Sequence, residues 1–402
     1  MPDTGPKGTT VTITGSRFSN DISQVQVFFN GMQGIVNSAT TTEIVATVPP
    51  KAGTGNVTVY VGSESGSGPV FNFVYTIAVN TLCGLGTPGF ADGDASVAKF
   101  NSPRGIAIDG LDNLYVADAG NQRIRRVSAN GVVTTFAGSG VAGFLDGDPA
   151  TAKFNSPYDV AYDLINNYLY VADRLNHCIR RLSSTGYVTT AAGIPGSPGY
   201  VDAPGLSARF DGPTGVAVEG ELASVYIADA NNHCIREFNY LEVVSTFAGS
   251  NVAGQQDGNG TGAKFSSPAD IEWDSTGNLY VTDKVNHNIR KISPSGEVTT
   301  VAGSGIAGYT DAQGALAAFN EPVGISANAG SLMVADLQNQ RIRGISNSGL
   351  VTTIAGDGTQ GWGDGSGATA KFKNPSAIVR DSNGDFYVAD TGNHLIRKIV
   401  ID

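Results

Sequence analysis

The sequence predicts an all-β protein: a six-bladed β-propeller preceded by a small β-sandwich. Three observations carry this reading. The stretch from Leu114 to Gly138, LYVADAGNQRIRRVSANGVVTTFAG, returns five more times in varied form. Its Asp recurs as Asp118, Asp173, Asp229, Asp283, Asp336 and Asp390, at intervals of 53–56 residues, and an Arg follows each one seven positions on. Repetition at this period marks an array of supersecondary units. The apolar runs inside each unit are short, and the 53 glycines gather between them, as tight turns joining short strands require.

Residues 1–76 come first. Val11–Thr14, Val25–Phe29, Ile44–Val48, Val57–Val61 and Phe71–Tyr75 alternate β-branched or aromatic residues with polar ones, the pattern of half-buried strands. Asn30-Gly31 suits a hairpin turn, and Pro49-Pro50 falls outside the strands. Gly8-Thr-Thr-Val-Thr-Ile-Thr-Gly15, Phe29-Asn-Gly31, Ala46-Thr-Val-Pro49 and Gly53-Thr-Gly-Asn-Val57 together resemble the IPT/TIG family of immunoglobulin-like domains. The resemblance implies a spacer or interaction module without catalysis. It also implies a further strand ahead of Gly5-Pro6, absent or shortened here.

Residues 77–402 hold the repeats. In the first, strands are expected at Gly105–Asp109, Asn113–Ala117, Arg123–Val127 and Val132–Ala137. Four antiparallel strands in each of six units make a propeller. The last unit offers only three, at Ala377–Val379, Asp385–Ala389 and Leu395–Ile401. A stray copy of the fourth lies at the front, where Thr76–Gly84 aligns with Val132–Gly138. Residues 77–83 are therefore expected to complete the last blade and remove the free edges of an open array. The repeated Asn-(His/Gln)-x-Ile, at Asn121, Asn176, Asn232, Asn286, Asn339 and Asn393, resembles the NHL repeat. That resemblance implies a binding platform. Related six-bladed propellers include metal-dependent lactonases, esterases and lyases with a site in the central channel.

Composition narrows the partners. Lys and Arg number 25 against 36 Asp and Glu, so an acidic field opposes nucleic acid and anionic membranes. No run of 18 apolar residues is present, and Met-Pro-Asp-Thr-Gly-Pro has no apolar signal region. A leader removed earlier would leave the same appearance. Cys83, Cys178 and Cys234 form no disulfide framework, and the last two share one repeat position about a blade apart.

Residues present in every blade read as scaffold, because a substrate breaks six-fold symmetry. Asp118 should pair with Arg123 and reach Arg125 diagonally, with Asn121 in the left-handed position of the turn. His177, His233, His287 and His394 share one hairpin position on separate blades and do not converge as zinc ligands would. The inter-blade Asp-Gly-Asp loops, such as Asp92-Gly-Asp94 and Asp146-Gly-Asp148, lack the downstream Glu of a calcium loop. Asp94 and Asp148 are expected instead to cap one helical turn. No metal and no cofactor is assigned, a divalent cation being the lesser alternative.

Function should sit where repeats disagree. Arg104, Tyr158, Asp159, Asp270, Glu272 and Arg380 replace small or apolar residues around the channel mouth, and form the candidate ligand-binding cluster. No catalytic residue is assigned, and no Gly-x-Ser-x-Gly nucleophile motif occurs. Phe90, Phe144, Tyr200, Tyr309 and Trp362, with Gln255 in the sixth place, follow a Gly in each inter-blade loop. They suit stacking on sugars or anchoring a partner. Lys99, Lys153, Arg209, Lys264 and Lys371 stand below them. The expected protein is a non-catalytic binding or scaffold protein at a bacterial surface or in the periplasm, with a protein or glycan partner. The alternative is a metal-dependent hydrolase or lyase acting in the channel.

Overall fold

The computed structural model describes residues 3–220 and 224–402, and its secondary structure is strands, turns and short 3-10 segments, with no α-helix among them. The chain divides into two compact units.

In the N-terminal unit two sheets face each other. One runs Thr4–Gly5, Glu64–Phe73, Gly55–Val61, Val25–Phe29, Met32–Gln33; the other runs Thr10–Thr14, Glu43–Thr47, Ile35–Ala39. Alternation sends Val11, Val27, Phe29, Ile44, Ala46, Val59 and Phe71 into the shared core. Asn30 and Gly31 both take positive φ, 47° and 82°, the backbone that a two-residue hairpin with right-handed strand twist needs. Besides the two-residue Met32–Gln33, two longer strands escaped the sequence reading. Ile35–Ala39 and the Glu64–Val70 half of Glu64–Phe73 carry almost no buried side chain, so they lack the apolar alternation by which strands are recognised.

The second unit is a ring of six antiparallel sheets. The blades span residues 103–137, 157–192, 213–249, 268–302, 322–355 and 375–401. Each innermost strand packs on the next, and Pro375–Arg380 packs on Pro103–Ile108, so the ring is closed. The strand Ile77–Cys83 lies beside Leu395–Ile401 in the sixth sheet. The core is divided among the blade interfaces. Between the first two blades, for example, Ala107, Ala117, Ile124 and Phe154 meet Val160, Val171 and Leu182. Tyr115 stacks on Tyr162 across that interface, with ring centroids 5.3 Å apart. Cys83, Cys178 and Cys234 are buried free thiols.

Candidate functional site

The repeated polar residues form one lock per blade, at the end of the propeller where second strands turn into third strands. Asp118 faces Arg123 in register, and its Oδ2 receives Arg125 at 2.7 Å and the Asn121 amide at 2.8 Å, while Oδ1 takes the Asn101 N–H. Arg125 is fully buried; it also donates to the Lys99 and Ala91 carbonyls and to Asp92. The same set recurs in every blade, ending with Asp390, Arg397, Asn393 and Asp364. A buried guanidinium is tolerable only when its charge and donors are matched; here two carboxylates and two carbonyls take the terminal nitrogens, and Nε reaches the loop Asp in Arg236 and Arg343 but has no partner in Arg125, Arg180, Arg290 and Arg397.

Two details differ from the sequence reading. Asn121 is not the left-handed residue. That conformation belongs to the next position, Gln122 at φ 54° and His177, His233, His287, Gln340 and His394 at 52–58°. Asn121 stays in the short 3-10 turn, where its amide ties Asp118 to the Gly89 carbonyl. The first Asp of each inter-blade loop was also missed as a partner: Asp92, Asp146, Asp202, Asp257, Asp311 and Asp364 all bind the buried Arg of their blade. Its signal was present, since that Asp persists in all six loops even where the following Gly-Asp is lost. Asp94 does accept the Ser96 N–H at 2.9 Å and opens a turn.

The aromatics sit on the locks. The Arg125 and Arg123 guanidinium carbons lie 4.8 and 3.9 Å from the centre of the Phe90 ring, Arg180 lies 4.7 Å from Phe144, and Arg343 lies 4.9 Å from Tyr309. Tyr200 hydroxyl bonds Thr246 Oγ1, Tyr309 hydroxyl bonds Thr353 Oγ1, and Trp362 Nε1 donates to Thr81 Oγ1. All five rings nevertheless remain 36–51% exposed. Each ring thus has contacts that hold it and surface that faces water.

The six candidate residues do not form one cluster. Arg104 and Tyr158 line a shallow depression at the loop-rich end of the channel; the guanidinium lies 4.8 Å from the ring centre, and Arg174 approaches the same ring at 5.1 Å. Glu272 and Arg380 line a separate cavity of about 290 Å3. Asp159 and Asp270 belong to both, and so partition the channel. The separation follows from the pleat. Glu272 lies two residues further along its strand than Asp270, on the same side but deeper, and Arg380 lies deeper still, at the far end of Pro375–Arg380.

The partition is built by alternate blades. Asp159 Oδ2 accepts the Val216 N–H of the following blade at 2.9 Å, and Asp270 Oδ2 accepts the Ile325 N–H at 2.9 Å. Gly105, Gly215 and Gly324 occupy the matching positions of the other three blades, where a side chain would collide with Asp159, Asp270 and Ala377. Ala377 stands where a third Asp would complete the pattern. Burial pushes the Asp159 carboxyl well up, reinforced by the neighbouring Asp270 and Glu272. It pushes Asp270 up to about 7 and, with the added charge of Asp270, Glu272 up to about 8. Among the described residues, no three His, Cys, Asp or Glu side chains are grouped so as to hold a metal ion.

Known proteins resemble the chain in parts. Residues 1–75 match the IPT/TIG domain family, residues 83–207 the Teneurin NHL domain, and residues 210–238 and 372–399 the NHL repeat. Protein SUPPRESSOR OF QUENCHING 1, chloroplastic, of Arabidopsis thaliana is 32% identical over 275 residues, 64% of this chain but only 26% of that protein. An auxiliary nutrient binding protein from Bacteroides ovatus superposes with a TM-score of 0.65 at 21% identity, covering 100% of this chain and 96% of that one. A gluconolactonase from Xanthomonas campestris superposes with a TM-score of 0.53 at 13% identity, covering 81% of this chain and 90% of that one.

Proposed function

We propose that this chain, an IPT/TIG immunoglobulin-like domain followed by NHL repeats closed into a propeller, is a non-catalytic binding protein of a bacterial cell surface or periplasm. It presents the loop-rich end of the propeller to a glycan, or to a protein partner. The observation that carries this reading is the set of five aromatic rings on that end. Each is pinned by a buried Arg or by a hydrogen bond, yet remains over a third exposed. A ring fixed before binding loses little freedom on contact, and a free π-face stacks on a sugar ring or fills a partner's pocket. The shared fold with an auxiliary nutrient binding protein over nearly both full lengths supports a binding role. The identity of 21% leaves the ligand to experiment.

A channel enzyme is the second reading. It is favoured by the perturbed carboxyls of Asp159, Asp270 and Glu272, since perturbed acids gather at reactive sites, and by the fold shared with a gluconolactonase.

Affinity electrophoresis through gels containing starch, xylan, mannan or laminarin tests the first reading. The protein should be retarded by at least one polysaccharide. A Phe144→Ala, Tyr309→Ala, Trp362→Ala variant with an unchanged circular dichroism spectrum should run free. Equal retardation of the variant removes the aromatic ring from the binding face. Lactone hydrolysis lost in Asp270→Asn would decide for the enzyme.

A further inference from the structure

The carboxyls buried in this propeller or lining its channel differ in what neutralises them. The six Asp of the blade locks each hold an Arg at 2.7–2.9 Å. The channel trio of Asp159, Asp270 and Glu272, like the turn acids Asp163 and Asp274, has no Arg or Lys among its hydrogen-bond or ion-pair partners. Asp159 and Asp270 are held by backbone N–H groups and by each other. Glu272 projects into the cavity from the same strand face as Asp270.

The walls differ from the floor. Tyr162 and Trp273 occupy one strand position on alternate blades and line the cavity, together with Ser326 and Arg380. Both rings are fixed from behind: Tyr162 stacks on Tyr115, and Trp273 meets Tyr226 edge-on at 4.9 Å. Trp273 Nε1 is buried and has no hydrogen-bond partner. A cavity with carboxyls and aromatic walls suits a cation, and Arg380, the basic residue in its lining, makes no ion pair with the three acids. Among the described residues the carboxyls are not grouped to bind a bare metal ion, so a cation held there is one that aromatic faces can also hold.

We infer that this cavity is a second binding site, for a small organic ammonium ion whose nitrogen sits against Glu272 and Asp270 and whose carbon chain lies between Trp273 and Tyr162. The site is independent of the aromatic ring at the loop-rich end and does not rest on it. Its volume of about 290 Å3 admits a ligand of several carbon atoms.

Binding must be linked to pH. Glu272 holds its proton up to about pH 8, and an ammonium ion binds the ionised carboxylate. Each unit of acidification below that value therefore weakens binding by up to about tenfold. The other titratable groups facing the cavity are Asp159, Asp270, Tyr162 and Arg380. Asp270, pushed up to about 7, adds to the effect in the same direction.

The test uses the whole chain and calorimetric titration with butylammonium chloride, 1-butanol and calcium chloride at pH 6 and pH 8. An alkylammonium ion stays charged at both values. Butylammonium should bind with a stoichiometry of one, at least tenfold more tightly at pH 8 than at pH 6. Butanol should not compete, and Glu272→Gln should abolish both the binding and its pH dependence. The pH comparison needs no variant, so it stands even if Glu272→Gln is poorly folded. Equal binding of butanol, an affinity indifferent to pH, no heat with butylammonium at either pH, or calcium binding that displaces butylammonium would each overturn the inference.

Discussion

His177 Nδ1 of the second blade accepts the Gly212 N–H of the third blade at 3.1 Å. The bond recurs around the ring, from His233 to Ser267, His287 to Glu321 and His394 to Ser102, and through Oε1 from Gln122 to Ser156 and Gln340 to Asn374. This explains why His and Gln interchange at one repeat position: the ring needs one acceptor atom there, and both side chains supply it. Every residue that donates its N–H here has φ between 52° and 61°, a backbone that needs holding.

The staple predicts a pH dependence. Nδ1 accepts only while the imidazole is neutral. Burial holds His233 below the usual His range, and burial with the Lys373 charge does the same to His394. The unfolded chain therefore takes up the proton first. Stability from these bonds is complete above about pH 6.5 and is lost as pH falls below it. A His233→Gln, His394→Gln variant keeps both bonds without the proton. Its unfolding free energy should match that of the parent at pH 8 and exceed it by about 1 kcal/mol at pH 5. A constant difference across that range would refute the role given to Nδ1.

The two carboxylates on one Arg should not be equivalent. Asp229 is fully buried against Arg236, while the side chain of Asp202 is 45% exposed. Asp229→Ala leaves a buried guanidinium short of its partner, and strands the Asn232 amide and Asp211 N–H as well. It should cost about 3 kcal/mol. Asp202→Ala, which water can replace, should cost about 1 kcal/mol. Urea denaturation of both variants checks the order, and the reverse order would assign the buried Asp to something other than the fold.

The channel acids predict the opposite pH trend from the histidines. Their folded pKa values are raised, so the folded chain holds protons that the unfolded chain has already released. Their contribution is favourable at low pH and declines as pH rises, through about 4.5 to 8 for Glu272. Glu272→Gln removes that decline and should stabilise the protein by about 1–2 kcal/mol at pH 8, with little change at pH 4. Thermal melts at the two pH values measure it; destabilisation at pH 8 would mean that Glu272 has a cationic partner.

The place of Ile77–Cys83 beside Leu395–Ile401 in the sixth sheet predicts slow amide exchange. Hydrogen–deuterium exchange should protect residues 79–83 as strongly as Leu395–Ile401, because loss of the outer strand exposes a blade edge. Rapid exchange at 79–83 with an intact sixth blade would show that the ring does without this strand.

Much of this protein was legible because its information is repeated. The Asp, Asn, His/Gln and Arg of each blade recur at a near-constant period, and one hairpin read six times gives the fold class, the blade number and the Asp–Arg pair. Alternation likewise marks the strands whose side chains are buried, and leaves out Ile35–Ala39, whose side chains are not. What tertiary structure alone decides is which residues meet across blades. The loop Asp that completes each Arg lies 32–34 residues before it, and the staple reaches 34–35 residues into the next blade, or across the chain from His394 to Ser102. No local pattern encodes such distances. The same holds for the channel. Asp159 and Asp270 become a partition only when alternate blades supply glycine opposite them, and Glu272 and Arg380 part from Arg104 and Tyr158 because position along a strand turns into depth once six strands surround one axis.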